Sequence, residues 1–167
     1  MDYFGRVMEI LVTIILLFIV PLNYMSARNE LLCQNYVTTE TTYFVDSVRN
    51  VGFVNKQMYE TFVKRLSVTK IPYEVKMTHY KETMTESEES NEFLEVEGDF
   101  FSCYYGVYHE DIMNEVLVSE VYYMDKGDFF SVSVKKKGVT WGDRLENFLI
   151  GRNQTSAELQ VVYGGGI

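Results

Sequence analysis

Proline and cysteine are both scarce, with two of each in 167 residues. Prolines stand only at Pro21 and Pro72, so little forbids long regular elements. Cysteines stand only at Cys33 and Cys103, which excludes a disulfide-stapled miniature fold and any Cys-x-x-Cys metal or redox pair. There is no internal repeat. Gly-x-Ser-x-Gly, His-Glu-x-x-His and Gly-x-x-x-x-Gly-Lys are all absent. Charge is missing from Ile10 to Ala27, and basic charge is missing from Glu82 to Asp99. These two gaps organise the rest of the chain.

The uncharged stretch is about the length of a membrane-crossing helix, because roughly 20 apolar residues rising 1.5 Å each match the hydrocarbon thickness. Arg6 and Arg28 bracket it. Three readings of it stay open: a single-pass anchor, a cleaved secretory signal, and a pilin-like leader whose apolar helix is kept for packing between subunits. The signal reading suffers from Asp2 and Glu9 beside Arg6, and from Met25 where a small residue is wanted in Met25-Ser26-Ala27. Glu9 favours the leader reading, since a carboxylate at the lip of an apolar helix is kept where a partner uses it. The bland alternative is that Glu9 lies among headgroups. Arg6 and Arg28 balance each other, so orientation rests on the short N-terminal tail and long C-terminal domain. That arrangement resembles a signal-anchor and predicts residues 29–167 outside the cytoplasm.

Residues 29–167 are enough for one hydrophobic core. Of 15 Lys and Arg, two lie in the first 28 residues, and of 24 Asp and Glu, two also do. The domain therefore keeps 13 basic against 22 acidic residues, and the whole net charge of −9. Such a surface repels phosphate backbones, which argues against nucleic acid as a partner. Glu82, Glu86, Glu88, Glu89, Glu92, Glu95, Glu97 and Asp99 supply much of the excess and predict a solvated acidic loop over 82–99. It lacks the spacing and central glycine of a calcium loop. Cys33 and Cys103 form a candidate disulfide, or are two separately buried thiols.

Periodicity predicts the elements. The first helix continues outward past the membrane segment and stops at Gly52, despite Thr38, Thr39, Thr41 and Thr42. Asn55 caps a second helix with the stripe Met58, Tyr59, Phe62, Val63 and Leu66. Alternation from Tyr73 to Tyr80 predicts a half-buried strand. A short helix is expected over His109–Val118. Gly127-Asp128 turns into a strand, Phe129–Lys135, with Phe130, Val132 and Val134 on one face, and Gly138 ends it. Thr140, Trp141, Leu145, Phe148 and Leu149 suggest a helix closed by Gly151. A final strand, Ala157–Tyr163, leads into a flexible Gly164-Gly165-Gly166 end. The sum is α+β: an N-terminal transmembrane helix extended into a long helix and packed against a small, mostly antiparallel sheet. Within it, Phe129–Tyr163 is open to a right-handed parallel crossover.

Candidate chemistry is thin. His79 falls on the apolar face of its strand, the place of a hydrogen-bonded core histidine more than of a ligand. His109, Glu110 and Asp111 are consecutive and point to different sides of a helix, so they do not converge on one ion. No catalytic residue, metal ligand or cofactor is expected, and the chain reads as a non-enzyme. Phe100, Phe101, Tyr104, Tyr105 and Tyr108 form a candidate binding surface, in a chain that is 15% aromatic.

The segments Phe44–Tyr59, Arg65–Thr69 and Gly127–Val134 resemble small membrane-anchored proteins of Gram-positive, clostridia-like bacteria. Those are similar to the TadE-like minor pilins, or pseudopilins, of tight-adherence and type IV pilus-like secretion systems. The resemblance implies a pilin-like fold and partners in the lipid bilayer, other pilin-like subunits and secretion-system components. It implies leader processing between Gly5 and Arg6, with Glu9 serving assembly by pairing with a neighbour's amino terminus. Glu9 is the fourth residue after Gly5, whereas the pilin pattern places its glutamate fifth. The expected function is a non-enzymatic, membrane-anchored extracytoplasmic subunit of such an assembly. The alternative is a secreted or anchored envelope binding module that uses the aromatic surface. A third and weaker reading is an envelope metallohydrolase using His79 or His109.

Overall fold

A computed structural model of the chain describes residues 2–86, 100–138, 144 and 159–167. Its first element is one helix, α1, from Asp2 to Val51. Fifty residues at 1.5 Å each make it about 75 Å long. Pro21 lies inside it. The threonines that lower its intrinsic propensity are accommodated by back-bonding: the hydroxyls of Thr38, Thr39 and Thr41 donate to the carbonyls four residues earlier, at 2.7 to 2.9 Å.

The two ends of α1 live in different surroundings. Every residue from Tyr3 to Phe18 is exposed. From Glu30 onward, Cys33, Val37, Thr41, Phe44, Val45 and Val48 turn one stripe inward at three- and four-residue steps. The helix stops where expected, at Gly52, whose φ of +73 is open to glycine and whose amide closes on Val48 at 2.8 Å. There is no break at residue 28; the membrane-like segment and the body share one rod.

After Gly52 comes β1 (Phe53–Asn55), then α2 (Lys56–Leu66), capped as predicted by the Asn55 carboxamide oxygen, which accepts the Met58 amide at 2.7 Å. Phe62 and Leu66 of its stripe are buried, while Val63 stays 39% exposed. A 3-10 turn (Ser67–Thr69) leads to β2 (Tyr73–Glu86), followed by β3 (Phe100–Tyr108), α3 (His109–Ser119), β4 (Val121–Tyr123), β5 (Phe129–Lys136) and β6 (Gln160–Gly166). β1 and β4 form a two-stranded pair. The other strands form an antiparallel sheet in the order β3-β2-β5-β6.

Helices cover one face of that sheet. Val37, Phe44, Val45 and Val48 of α1, Phe62 and Leu66 of α2, and Ile112 and Val116 of α3 close on Met77, Phe130, Val132, Val134 and Val161. Phe44 stacks on Phe62 with centroids 4.5 Å apart and meets Phe130 edge-on at 6.4 Å.

Several expectations need correction. Residues 82–86 of the expected acidic loop belong to β2, because Tyr104 to Phe100 pair with Glu82 to Glu86 and carry the ladder outward. The rest of that loop lies outside the described residues, as does the helix expected over 140–151. Phe129–Tyr163 is not a parallel crossover: Val134 faces Val161 and Phe129 faces Gly166 in antiparallel register. The last strand is displaced by three residues and takes in Gly164, Gly165 and Gly166, which are ladder residues and not a loose end. Cys33 and Cys103 are unbridged; Cys33 is half-buried on α1 and Cys103 exposed on β3.

Candidate functional site

Three features stand out: the bare half of α1, an aromatic sheet face, and a buried polar chain. In the first, the most apolar 18-residue window of α1 has a mean hydropathy of 2.2 and none of it is buried. This helix is long and apolar enough to cross a membrane. Gly5 has open space around it, and Glu9 is exposed, its carbonyl accepting the Thr13 hydroxyl at 2.8 Å. Arg6 is exposed beside them.

The second feature follows from strand parity. Odd residues of β2 (Met77, His79) and even residues of β5 (Phe130, Val132, Val134) face the helices. Their neighbours face the other way. Cross-strand register then aligns Gly106, Tyr80, Phe129 and Gly166 in one row, Tyr108, Thr78, Ser131 and Gly164 in the next, and Tyr104 opposite Glu82. Tyr80 and Phe129 are 38% and 40% exposed with ring centroids 6.2 Å apart; Tyr104 and Tyr108 are 58% and 63% exposed. The aromatic cluster of the sequence is therefore split. Tyr104 and Tyr108 share this face, whereas Tyr105 points to the opposite side of β3, where it is still exposed. The side chains of Phe100 and Phe101 lie outside the described residues. Tyr80 and Phe129 belong to the surface and escape a reading of the cluster alone, since only the register reveals them.

The third feature centres on His79. Its ring is fully buried, with Nδ1 2.7 Å from the Tyr122 hydroxyl and Nε2 2.8 Å from Asp128 Oδ2. Asp128 also accepts the amides of Glu82 and Asp125, each at 2.9 Å. Burial holds the His79 pKa below its usual value, more strongly than the Asp128 carboxylate lifts it. The neutral ring then donates from Nε2 to Asp128 and accepts at Nδ1 from Tyr122. Burial pushes Tyr122 up to about 12, so its hydroxyl keeps its proton. Burial would raise Asp128 as well, but the two amides and the His79 ring outweigh it and hold the carboxyl below the ordinary range. The chain joins β2, β4 and the turn before β5, and it gives His79 the core role its strand face suggested.

His109 begins α3, where its Nδ1 accepts the Met77 amide at 3.4 Å and its ring lies 5.9 Å from Tyr59. It closes the end of the β2–β3 ladder. Among the described residues, no three His, Cys, Asp or Glu side chains group to hold a metal. A groove of about 280 Å³ runs between α1 and α2 over Phe44 and Phe62. Arg65 borders it, paired with Glu40 at 3.1 Å and laid over the Tyr43 ring at 5.1 Å. Its one guanidinium is already matched by a carboxylate.

No family model, curated protein or solved structure matches this chain.

Proposed function

We propose that this protein is a non-enzymatic, membrane-anchored, pilin-like subunit of an extracytoplasmic assembly. The observation that carries the reading is the division of α1. Its C-terminal half is built into the core, while residues 3–18 are exposed and present apolar side chains to no described part of the fold. Exposure of that many contiguous apolar groups to water is strongly unfavourable, at roughly 25 cal/mol per Å², so the segment belongs in lipid or against equivalent helices. The acidic body then faces the exterior, and Glu9 at the rim sets the register of neighbouring helices. The unbroken α1 transmits the position of one end to the other.

The test is fractionation of cells expressing the full chain, followed by N-terminal sequencing. A membrane-bound product beginning at Arg6 supports a processed pilin-like subunit. An intact Met1 in the membrane supports a plain anchor, and a start near Arg28 supports secretion. Untrimmed protein dispersed in the cytosol overturns the reading.

A second reading, an envelope binding module, is favoured by the exposed rings of Tyr104 and Tyr108 on a sheet face that no described element covers. The two readings are compatible, since an anchored body can also bind.

A further inference from the structure

Basic charge is not spread evenly over this acidic body, and we infer that the corner nearest the bare half of α1 docks on anionic lipid headgroups. The inference rests on the membrane-anchor reading and adds a second contact with the same bilayer. α2 runs back along α1 toward the bare half. Phe62 stacks on Phe44, Arg65 pairs with Glu40 at 3.1 Å, and the Arg65 carbonyl accepts the Tyr36 hydroxyl at 3.3 Å. The 3-10 turn Ser67–Thr69 continues that descent. Beyond it the Pro72 carbonyl accepts the Lys137 amide at 2.8 Å, Tyr73 stands opposite Lys136, and Lys136 Nζ reaches Glu30 at 3.0 Å. The turn and the end of β5 therefore lie about level with Glu30, three residues past the uncharged stretch that ends at Ala27. At 1.5 Å per residue the offset is about 4.5 Å, within a headgroup layer roughly 5–7 Å deep on each side.

The corner has the chemistry that such a layer selects. Val68 is 69% exposed on the turn, and Leu31 and Leu32 are 60% and 59% exposed on α1. Arg28, Lys70 and Lys137 are exposed and, among the described residues, have no acidic partner. Glu30, Glu40 and Glu74 at this end are each matched within the fold, by Lys136, Arg65 and Lys76. Acidic side chains gather toward the other end. β2 carries Glu82 and Glu86 away from the corner, and the bonds from Lys56 to the Glu120 carbonyl and from Met124 to Gly52 put Glu120 and Asp125 beside the end of α1. The net charge of −9 therefore does not describe this corner, and salt screens the distant acids over about 8–10 Å. Each lysine near an anionic surface favours the contact about fivefold. Because α1 is unbroken past residue 28, its insertion holds the corner at the bilayer and gives headgroups an effective concentration that a free partner lacks.

The experiment reconstitutes the full chain in vesicles of phosphatidylcholine, alone or mixed with phosphatidylglycerol. In a Cys33→Ser, Cys103→Ser background a fluorescent probe is attached at Val68→Cys, and in a second chain at Val118→Cys, 86% exposed at the far end of the body. Lipids with a nitroxide on the headgroup quench a docked probe, and iodide quenches one open to water. The probe at residue 68 is quenched by lipid in the mixed vesicles and far less in phosphatidylcholine, and the one at residue 118 in neither. Salt at about 1 M, where the Debye length is near 3 Å, removes the difference. Lys70→Glu with Lys137→Glu lowers the ratio of docked to undocked body at least about thirtyfold, two surface charges at roughly fivefold each. Protein that does not float with the vesicles overturns the anchor reading and this inference together. With α1 inserted, a residue 68 probe reached only by iodide overturns the docking alone. Equal lipid quenching in the two vesicles overturns it as well, because headgroup charge then plays no part. A probe shielded from both quenchers means that the protein covers its own corner, and this too overturns the inference.

Discussion

The guanidinium of Arg49 lies over Gly165, so that a Cβ on this glycine would sit 2.5 Å from Cζ. Arg49 Nε donates to the Gly166 carbonyl at 2.7 Å, and one terminal nitrogen pairs with Asp46 at 3.1 Å. Through this contact the last turn of α1 holds the last strand of the sheet. The neighbouring Gly164 is tighter in a different way: its Cβ would meet the Phe130 carbonyl at 2.8 Å and the Ser131 Cβ at 2.7 Å.

The two glycines therefore predict different costs. Gly164→Ala collides with backbone that cannot move and lowers stability by about 1–3 kcal/mol. Gly165→Ala meets the movable end of a long side chain and is milder, and its penalty disappears in an Arg49→Ala background. Urea unfolding of the four variants in detergent, read as a double-mutant cycle, measures both. Equal penalties at the two glycines contradict the assignment.

Removing the hub of the buried chain is more damaging than trimming its end. Asp128→Ala leaves the buried His79 ring without its Nε2 partner and also unpairs the part-buried Glu82 and Asp125 amides, and costs about 3 kcal/mol. Tyr122→Phe removes one hydrogen bond and costs about 1–2 kcal/mol. Denaturant midpoints order the two, and the reverse order rules out Asp128 as the hub.

Acid sensitivity follows from the same residues. His79 has its pKa lowered from 6.5 by burial, so the unfolded chain binds the proton more readily than the fold. Its contribution is complete above pH 6.5 and is lost as the pH falls below that value. Asp128, lowered from 3.8, acts in the same direction but begins only below pH 3.8. The unfolding midpoint should therefore drop between pH 7 and pH 5, and that slope should flatten in His79→Gln. A midpoint that rises on acidification means that His79 and Asp128 form a charged pair in the fold.

At the start of α2, Asn55→Ala removes the acceptor of the Met58 amide and costs about 1 kcal/mol, while Asn55→Asp retains it. Thermal unfolding followed by far-UV circular dichroism separates the two; equal melting temperatures contradict the cap.

Within α1, Ile15→Lys places a charge in the bare half and should cost about 2.5–3.5 kcal/mol of insertion. Membrane recovery falls while the body unfolds at its usual midpoint, because residue 15 touches none of the core. Unchanged recovery speaks against insertion.

Local signals were legible wherever a single residue controls its own backbone. Gly52 ended α1, Asn55 capped α2, and the alternation of Phe130, Val132 and Val134 marked the inner face of β5. Pairing was less legible. Glu82 looked like part of a solvated loop, because charge dominates composition there, yet its amide bonds Asp128 forty-six residues away. Gly164 to Gly166 looked like a loose end, because the β5 backbone that crowds Gly164 and the Arg49 side chain that crowds Gly165 come from elsewhere in the chain. The short β1–β4 pair carried no periodic signal at all, with three residues in each strand.

The amino-acid sequence alone determined the apolar leading helix, its stop, the second helix and the inward face of the central strands. Those properties depend on side-chain spacing and on residues that act on their own dihedrals. Tertiary structure alone decided that β6 runs antiparallel to β5, that His79 finds Tyr122 and Asp128, and that Tyr80 and Phe129 join Tyr104 and Tyr108 on one face. Each of these depends on strand register, and register is set by contacts between segments distant in the chain, which no local pattern encodes.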